Sequence, residues 1–162
     1  VIVPILALIV VSGMKALILN KKANDQVDIV ELMKVSVAGN NLVHELQKER
    51  GASAGYTNSK GKKFADTLIK QRKTTDKKFT TLLEVIGETY LDHFTDDYND
   101  HLKSALAQLK SLEDVRKQVS SLSMPLPKVV GYYTESNKQL LHITKQTIYI
   151  AEDPKILRDI SA

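Results

Sequence analysis

Residues 25–56 decide the fold, and they read DQVDIVELMKVSVAGNNLVHELQKERGASAGY. Apolar side chains recur in this stretch three and four residues apart, at Ile29, Leu32, Val35, Leu42, Val43 and Leu46. That spacing is typical of an α-helix with one apolar face. The turn residues Thr57–Gly61 (TNSKG) follow directly. The sequence therefore predicts a long amphipathic helix that ends at about Tyr56.

Three further segments show the same periodicity. The second helix carries Phe64, Leu68, Phe79, Leu82, Leu83 and Ile86 on one face, and it ends near Gly87. The third follows the polar segment Asp92–Asp100 and carries Leu102, Leu106, Leu109, Leu112, Val115 and Val119. Pro125 and Pro127 begin a fourth helix, capped by Ser123, that runs to about Ala151. Long helices joined by short turns predict an antiparallel up-down bundle.

The composition excludes most other classes of protein. Residues 5–124 contain no proline and the whole chain only seven glycines, whereas a β-sandwich needs turn signals every 8–12 residues. The fold class is therefore all-α. The absence of cysteine excludes disulfides and thiolate metal sites. The net charge of +4 is mild and scattered, so we expect no nucleic-acid partner.

The first 19 residues, VIVPILALIVVSGMKALIL, contain a single charge, Lys15. We expect residues 1–20 to form a transmembrane helix in the lipid bilayer, and a buried core helix or a cleaved signal peptide are the alternatives. The helical pattern continues past Asn20, so the first helix of the bundle is expected to be continuous with this span. Residues 21–162 then form a helical domain, which we expect to be truncated at its C-terminus because a helix beginning at Asp153-Pro154 is still running at Ala162.

Three arginines occupy helix positions where leucine is expected. On a helical wheel Arg50 and Arg72 fall within the apolar faces of the first and second helices, and Arg116 falls within that of the third. A buried guanidinium needs an anion, because leaving a charge unpaired inside a protein costs several kcal/mol. Arg116 is expected instead to extend to solvent at an end of the bundle.

Two sources of negative charge are open for the other two arginines. One is internal pairing, with Asp76 for Arg72 and with Glu45 or Glu49 for Arg50. The other is a small bound anion held by guanidinium forks. The small residues 51–55 (GASAG) leave room for such a ligand beside Arg50. The candidate ligand-binding residues are Arg50, Arg72, Ser53 and Tyr133, the last of which either packs in the core or borders the ligand.

The stretch LVHELQKERGASAGYTNSKGKKFADTLIKQRKTTDKKFTTLLE (Leu42–Glu84) resembles the nitrate- and nitrite-sensing (NIT) domain of bacterial receptors. The resemblance rests on ELQKERGxSAG, on the SKG turn and on QRxxTD, and more loosely on Leu112–Val119 and on GYYT (Gly131–Thr134). It covers most of residues 25–162.

The resemblance implies an all-helical sensor that lies between two membrane spans of the bacterial inner membrane and faces the periplasm. It implies a homodimer that reports to a cytoplasmic signalling domain of the chemotaxis transducer, histidine kinase or cyclic-dinucleotide type; a soluble variety of the family regulates transcription antitermination. The ligand it implies is nitrate or nitrite, held by arginines of which one, in the ERG motif, corresponds to Arg50. The pattern expected for further arginines lies beyond Ala162.

Two other interpretations stay open. The bundle is alternatively a membrane-anchored structural or dimerisation module whose arginines are paired internally. His93, Asp97 and His101 have the spacing of zinc ligands on one helix face, but an acidic helix junction is the commoner meaning of such a segment, and we expect no metal. The sequence contains none of the GxSxG, HExxH, P-loop or GxGxxG motifs, so neither an enzyme nor a cofactor is expected.

Overall fold

The structure is a computed structural model that describes residues 2–89, 91 and 94–152, without the side chains of residues 2–11 and 21–25. Over these residues it contains five helices and no strand: α1 (Ile2–Asn58), α2 (Ala65–Gly87), α3 (Asp96–Lys110), α4 (Leu112–Ser120) and α5 (Leu126–Glu152). The all-helical prediction is confirmed. The helix expected from Asp153 onward lies outside the described residues.

The helices form an antiparallel bundle in which α1 packs along both α2 and α5, and α3 packs against α5. Hydrogen bonds set the register of the α1–α5 pair, since Ser36 bonds Thr147 near one end and Arg50 bonds Thr134 near the other. The core lies between these helices and is built mainly from leucines such as Leu32, Leu42, Leu46, Leu82, Leu102, Leu109 and Leu140. The predicted up-down arrangement is therefore correct.

Two boundaries differ from the sequence prediction. The predicted third helix is divided at Ser111, whose φ of −85° and ψ of 0° let the chain turn by one residue between α3 and α4. The predicted polar break also ends earlier than expected, because Thr95 caps α3 by accepting a hydrogen bond from the Tyr98 amide at 3.1 Å. Asp96 and Asp97 then occupy its first turn, where carboxylates are favoured.

The first helix is one uninterrupted helix of 57 residues, so the expected continuity from the N-terminal segment into the bundle is observed. The side chains of residues 12–20 are all exposed. Further along, Val27, Val30, Met33 and Val37 form an exposed apolar stripe on the side of α1 that faces away from the core. No helix among the described residues is long and apolar enough to cross a membrane, and most of the predicted span, residues 1–20, consists of residues whose side chains lie outside the description.

The turn between α1 and α2 holds residues in the left-handed region. Lys60 has a φ of 51° and Gly61 a φ of 77°, and the Gly61 amide bonds the Tyr56 carbonyl at 2.9 Å. For a residue with a Cβ this conformation costs roughly 1–2 kcal/mol. We therefore expect Lys60→Gly to raise the free energy of unfolding by about 1 kcal/mol in urea denaturation. Lys62→Gly, at a position without positive φ, is the control. Equal losses of stability in both variants would contradict the left-handed conformation of Lys60.

Candidate anion-binding site

The centre of the bundle contains a buried ion pair between α1 and α4. Glu49 is completely buried and Arg116 is 6% exposed. Arg116 donates from Nε to Glu49 Oε1 at 2.7 Å and from Nη2 to Oε2 at 2.9 Å, a two-pronged contact. Its Nη1 donates to Asp76 on α2. The guanidinium is thus enclosed by two carboxylates from two different helices.

The same network extends to α5 through Tyr133. The Tyr133 hydroxyl donates to Glu49 Oε1 at 2.8 Å and accepts a hydrogen bond from Ser53 at 3.3 Å. Burial raises the pKa of Tyr133, and the charge of Glu49 raises it further, so the phenol stays protonated and remains a donor. Burial alone would lower the pKa of Arg116, but the hydrogen bonds and charges of Glu49 and Asp76 raise it. At neutral pH Arg116 therefore keeps its charge and Tyr133 keeps its proton.

This geometry corrects the sequence prediction for the arginines. Arg116 is buried rather than extended to solvent, and Glu49 rather than Arg50 lies in the core face of α1. Glu49 follows Leu42 and Leu46 by seven and three residues and so continues their stripe, whereas Arg50 is turned about 100° further around the helix. Since Glu49 and Asp76 bind Arg116, the internal pairings predicted for Arg50 and Arg72 with them are wrong. Glu45 bonds Lys48 and Gln71 instead.

Arg50 is half-buried at the seam between α1 and α5. Its Nη1 donates to Thr134 Oγ1 at 3.1 Å, and that hydroxyl in turn donates to the Val130 carbonyl at 2.8 Å. Across the described residues, no carboxylate lies within ion-pair distance of this guanidinium. Arg50 is therefore a fixed cation whose partner is a neutral hydroxyl, and it retains hydrogen-bonding capacity for an anion.

Arg72 lies on a different seam, between α2 and α4. Its Nη1 donates to Ser120 Oγ at 2.9 Å and its Nη2 to the Arg116 carbonyl at 3.1 Å, while its Nε is buried without a hydrogen-bond partner. It also has no carboxylate partner in the described part of the chain. A surface cleft of about 570 Å³ opens beside it, lined by residues of both charges. Arg72 is thus a second cation without an ion-pair partner, and it lies on a different helix–helix interface from Arg50.

The structure brings three of the four predicted site residues together. Arg50, Ser53 and Tyr133 lie within one turn of each other along the α1–α5 seam, and Arg72 bonds a different helix. Ser53 and Tyr133 are fully buried; the Ser53 hydroxyl donates to that of Tyr133, which donates to Glu49. Sequence reasoning missed Thr134 as the partner of Arg50, although it belongs to the GYYT segment.

The alternative zinc site is not assembled by the described residues. His93 lies outside them; Asp97 Oδ1 and His101 Nε2 are 3.4 Å apart, and the His101 ring packs against His142 with ring centroids 4.1 Å apart. Within the described chain, no three histidine or carboxylate side chains are grouped so that they could hold a metal ion.

Comparisons with known proteins agree with this architecture. The solved structure of the NasR transcription antiterminator superposes with a TM-score of 0.78 at 21% sequence identity, a level at which the likeness shows the fold alone. It covers 93% of this chain, which spans 41% of the antiterminator chain. No curated protein matches the chain. The family model for nitrate and nitrite sensing matches residues 41–162, three-quarters of the sequence. The chain therefore belongs to the nitrate- and nitrite-sensing (NIT) family.

Proposed function

We propose that the chain is the sensory part of a signalling protein and that it binds nitrate or nitrite at Arg50. The observation that carries this proposal is the state of that guanidinium, which is half-buried, held in place by Thr134 and left without a carboxylate. Because Arg116 neutralises Glu49, the neighbouring carboxylate does not compete with an external anion. Nitrate is planar with three acceptor oxygens and so suits a guanidinium fork.

The proposed mechanism is a change in packing without chemistry, cofactor or metal. An anion that takes hydrogen bonds from Arg50 competes with Thr134, which weakens one of the polar contacts that fix α1 against α5. The equilibrium between two arrangements of this seam then shifts toward the one that binds the anion better. The displacement of α1 is the signal. Arg72 is a second proposed anion contact, and Ser53 and Tyr133 support the site from the core.

A thermal-shift titration tests the proposal. Nitrate, nitrite, chloride and sulfate are compared at constant ionic strength, and nitrate or nitrite should stabilise the protein by about 2.7 kcal/mol at a concentration one hundred times the dissociation constant. Arg50→Ala should abolish this stabilisation. Arg50→Lys keeps the charge but loses the fork, so it should weaken the response strongly.

The comparison variant is Arg72→Ala, which removes the second proposed contact, an equally unpaired arginine that lies apart from Arg50 on the α2–α4 seam. A response that survives in Arg72→Ala and disappears in Arg50→Ala assigns the ligand to the α1–α5 seam. If no anion stabilises the wild-type protein, or if Arg50→Ala responds like the wild type, the proposed function is wrong.

We further propose that the sensor belongs to a receptor in the bacterial inner membrane, with the bundle on the periplasmic side and a chemotaxis-type or related signalling domain in the cytoplasm. The apolar segment of residues 1–19 and its continuity with α1 support attachment to a membrane, and the periplasmic side rests on the resemblance to receptor-type members of the family. In the full-length protein, a protease added to spheroplasts should cleave the bundle. Cleavage only after lysis would place the bundle in the cytoplasm.

A homodimer is the remaining part of the proposal, and the alternative function is a structural bundle that dimerises without binding a ligand. The exposed apolar stripe on α1 supports pairing with a second copy. Val37→Lys should convert a dimer into a monomer in light scattering, with Lys34→Ala as the control. A dimer that shows no anion response would favour the structural alternative.

A further inference from the structure

The side chain of Asn137 on α5 has no hydrogen-bond partner although it is almost completely buried. It is 5% exposed, and neither its Oδ1 nor its Nδ2 is bonded. Two buried hydroxyls on the same helix have partners, since Ser136 bonds the Tyr132 carbonyl at 2.9 Å and Thr147 bonds Ser36. Gln139 Oε1 and His142 Nδ1 each lack a partner, but Asn137 is the residue of α5 in which both polar atoms are buried and unbonded. A buried carboxamide without partners is unfavourable, so it requires a partner that is either water or a ligand.

The register of the α1–α5 pair places Asn137 one helical turn from the Arg50–Thr134 contact. The bonds from Arg50 to Thr134 and from Thr144 to Asn40 fix this register, and they bring Asn137 opposite position 47 of α1. Asn137 is thus one helical turn from Thr134, and position 47 is one turn from Arg50. Helix side chains lean toward the N-terminus of their own helix. Because α1 and α5 are antiparallel, Arg50 and Asn137 lean toward each other.

We infer that the carboxamide of Asn137 is a second contact for the anion at Arg50, an inference that rests on the proposed function. An amide is well matched to this place, since its Nδ2 group donates to an oxygen of the anion while its Oδ1 accepts from the guanidinium. A planar oxyanion with three acceptor oxygens satisfies both donors at once. The anion reaches the seam from the solvent side, where Arg50 is only half-buried.

The test is the nitrate dissociation constant of Asn137→Leu and Asn137→Ala, measured by calorimetry well below the melting temperature. Loss of a hydrogen bond to a charged ligand should weaken nitrate binding about tenfold or more. Asn137→Leu should at the same time leave the melting temperature of the ligand-free protein unchanged or higher, because it removes an unpaired buried amide. Asn137→Ala is the second variant, for use if the larger leucine side chain prevents the protein from folding. Ser136→Ala is the matched control, since its hydroxyl bonds only its own helix, and it should bind nitrate like the wild type.

The outcomes separate this inference from the function on which it rests. Nitrate binding that is lost in Arg50→Ala but unchanged in both Asn137 variants would overturn the role of Asn137 and leave the anion site standing; the amide then serves a buried water. Wild-type protein that binds no nitrate would overturn both. Weakened binding in the Asn137 variants with a normal Ser136→Ala confirms the contact.

Discussion

Arg116→Met should lower the free energy of unfolding by about 3–5 kcal/mol. Methionine fills much of the same volume but leaves the completely buried Glu49 without its cation. The remaining donor, the Tyr133 hydroxyl, is neutral and supplies one hydrogen bond. Urea denaturation followed by circular dichroism measures the loss.

The double variant Glu49→Gln/Arg116→Met should regain most of that stability. Glutamine can still accept the hydrogen bond from Tyr133, and no unpaired charge remains in the core. Asp76→Asn is the matched control at the other end of the guanidinium, because Asp76 is 55% exposed and its contact is worth no more than about 1 kcal/mol. If Arg116→Met lowers the free energy of unfolding by less than about 1 kcal/mol, the variant does not leave Glu49 as an unpaired buried charge, and the prediction is wrong.

The second large effect concerns two adjacent leucines of α2. Leu82 is 1% exposed and lies in the core, whereas Leu83 is 46% exposed. Leu82→Ala should therefore cost about 2–5 kcal/mol, because it removes buried methyl groups and leaves a cavity. Leu83→Ala should cost less than about 1 kcal/mol.

The comparison is made by thermal and urea denaturation of both variants under the same conditions. It isolates burial, since the two substitutions are chemically identical and fall on the same helix. Equal losses would contradict the orientation of α2, and a larger loss for Leu83→Ala would show that its face is covered in solution.

Apolar spacing, together with turn residues and prolines, predicted most of the helices and their antiparallel arrangement. The turn residues after α1 and the prolines before α5 are local signals, and they located the end of α1 and the start of α5 to within a few residues. The division at Ser111 could not be predicted, because Leu106, Leu109, Leu112 and Val115 keep their spacing across it. A turn of one residue changes the direction of the chain without interrupting the pattern.

The candidate site was only partly predictable for a physical reason. A helical wheel treats a carboxylate as an outward-facing group. It therefore does not assign Glu49 to the core, and it assigns Arg50 there instead. The cation that makes a buried Glu49 tolerable comes from Arg116, 67 residues away. Asn137 gave no signal at all, since an asparagine in an amphipathic helix is ordinary until its burial and lack of partners are known.

The different roles of Arg116, which neutralises a buried carboxylate, and Arg50, which has no carboxylate partner, have an evolutionary consequence. Drift at Glu49 or Arg116 must proceed through an unstable intermediate unless both change together, so these positions are expected to be inherited or lost as a pair. Arg50 holds only a partly exposed hydroxyl, so a lineage can lose it in one mutational step with little harm to folding. Relatives that keep this bundle without the proposed anion contact are therefore reached by a single substitution.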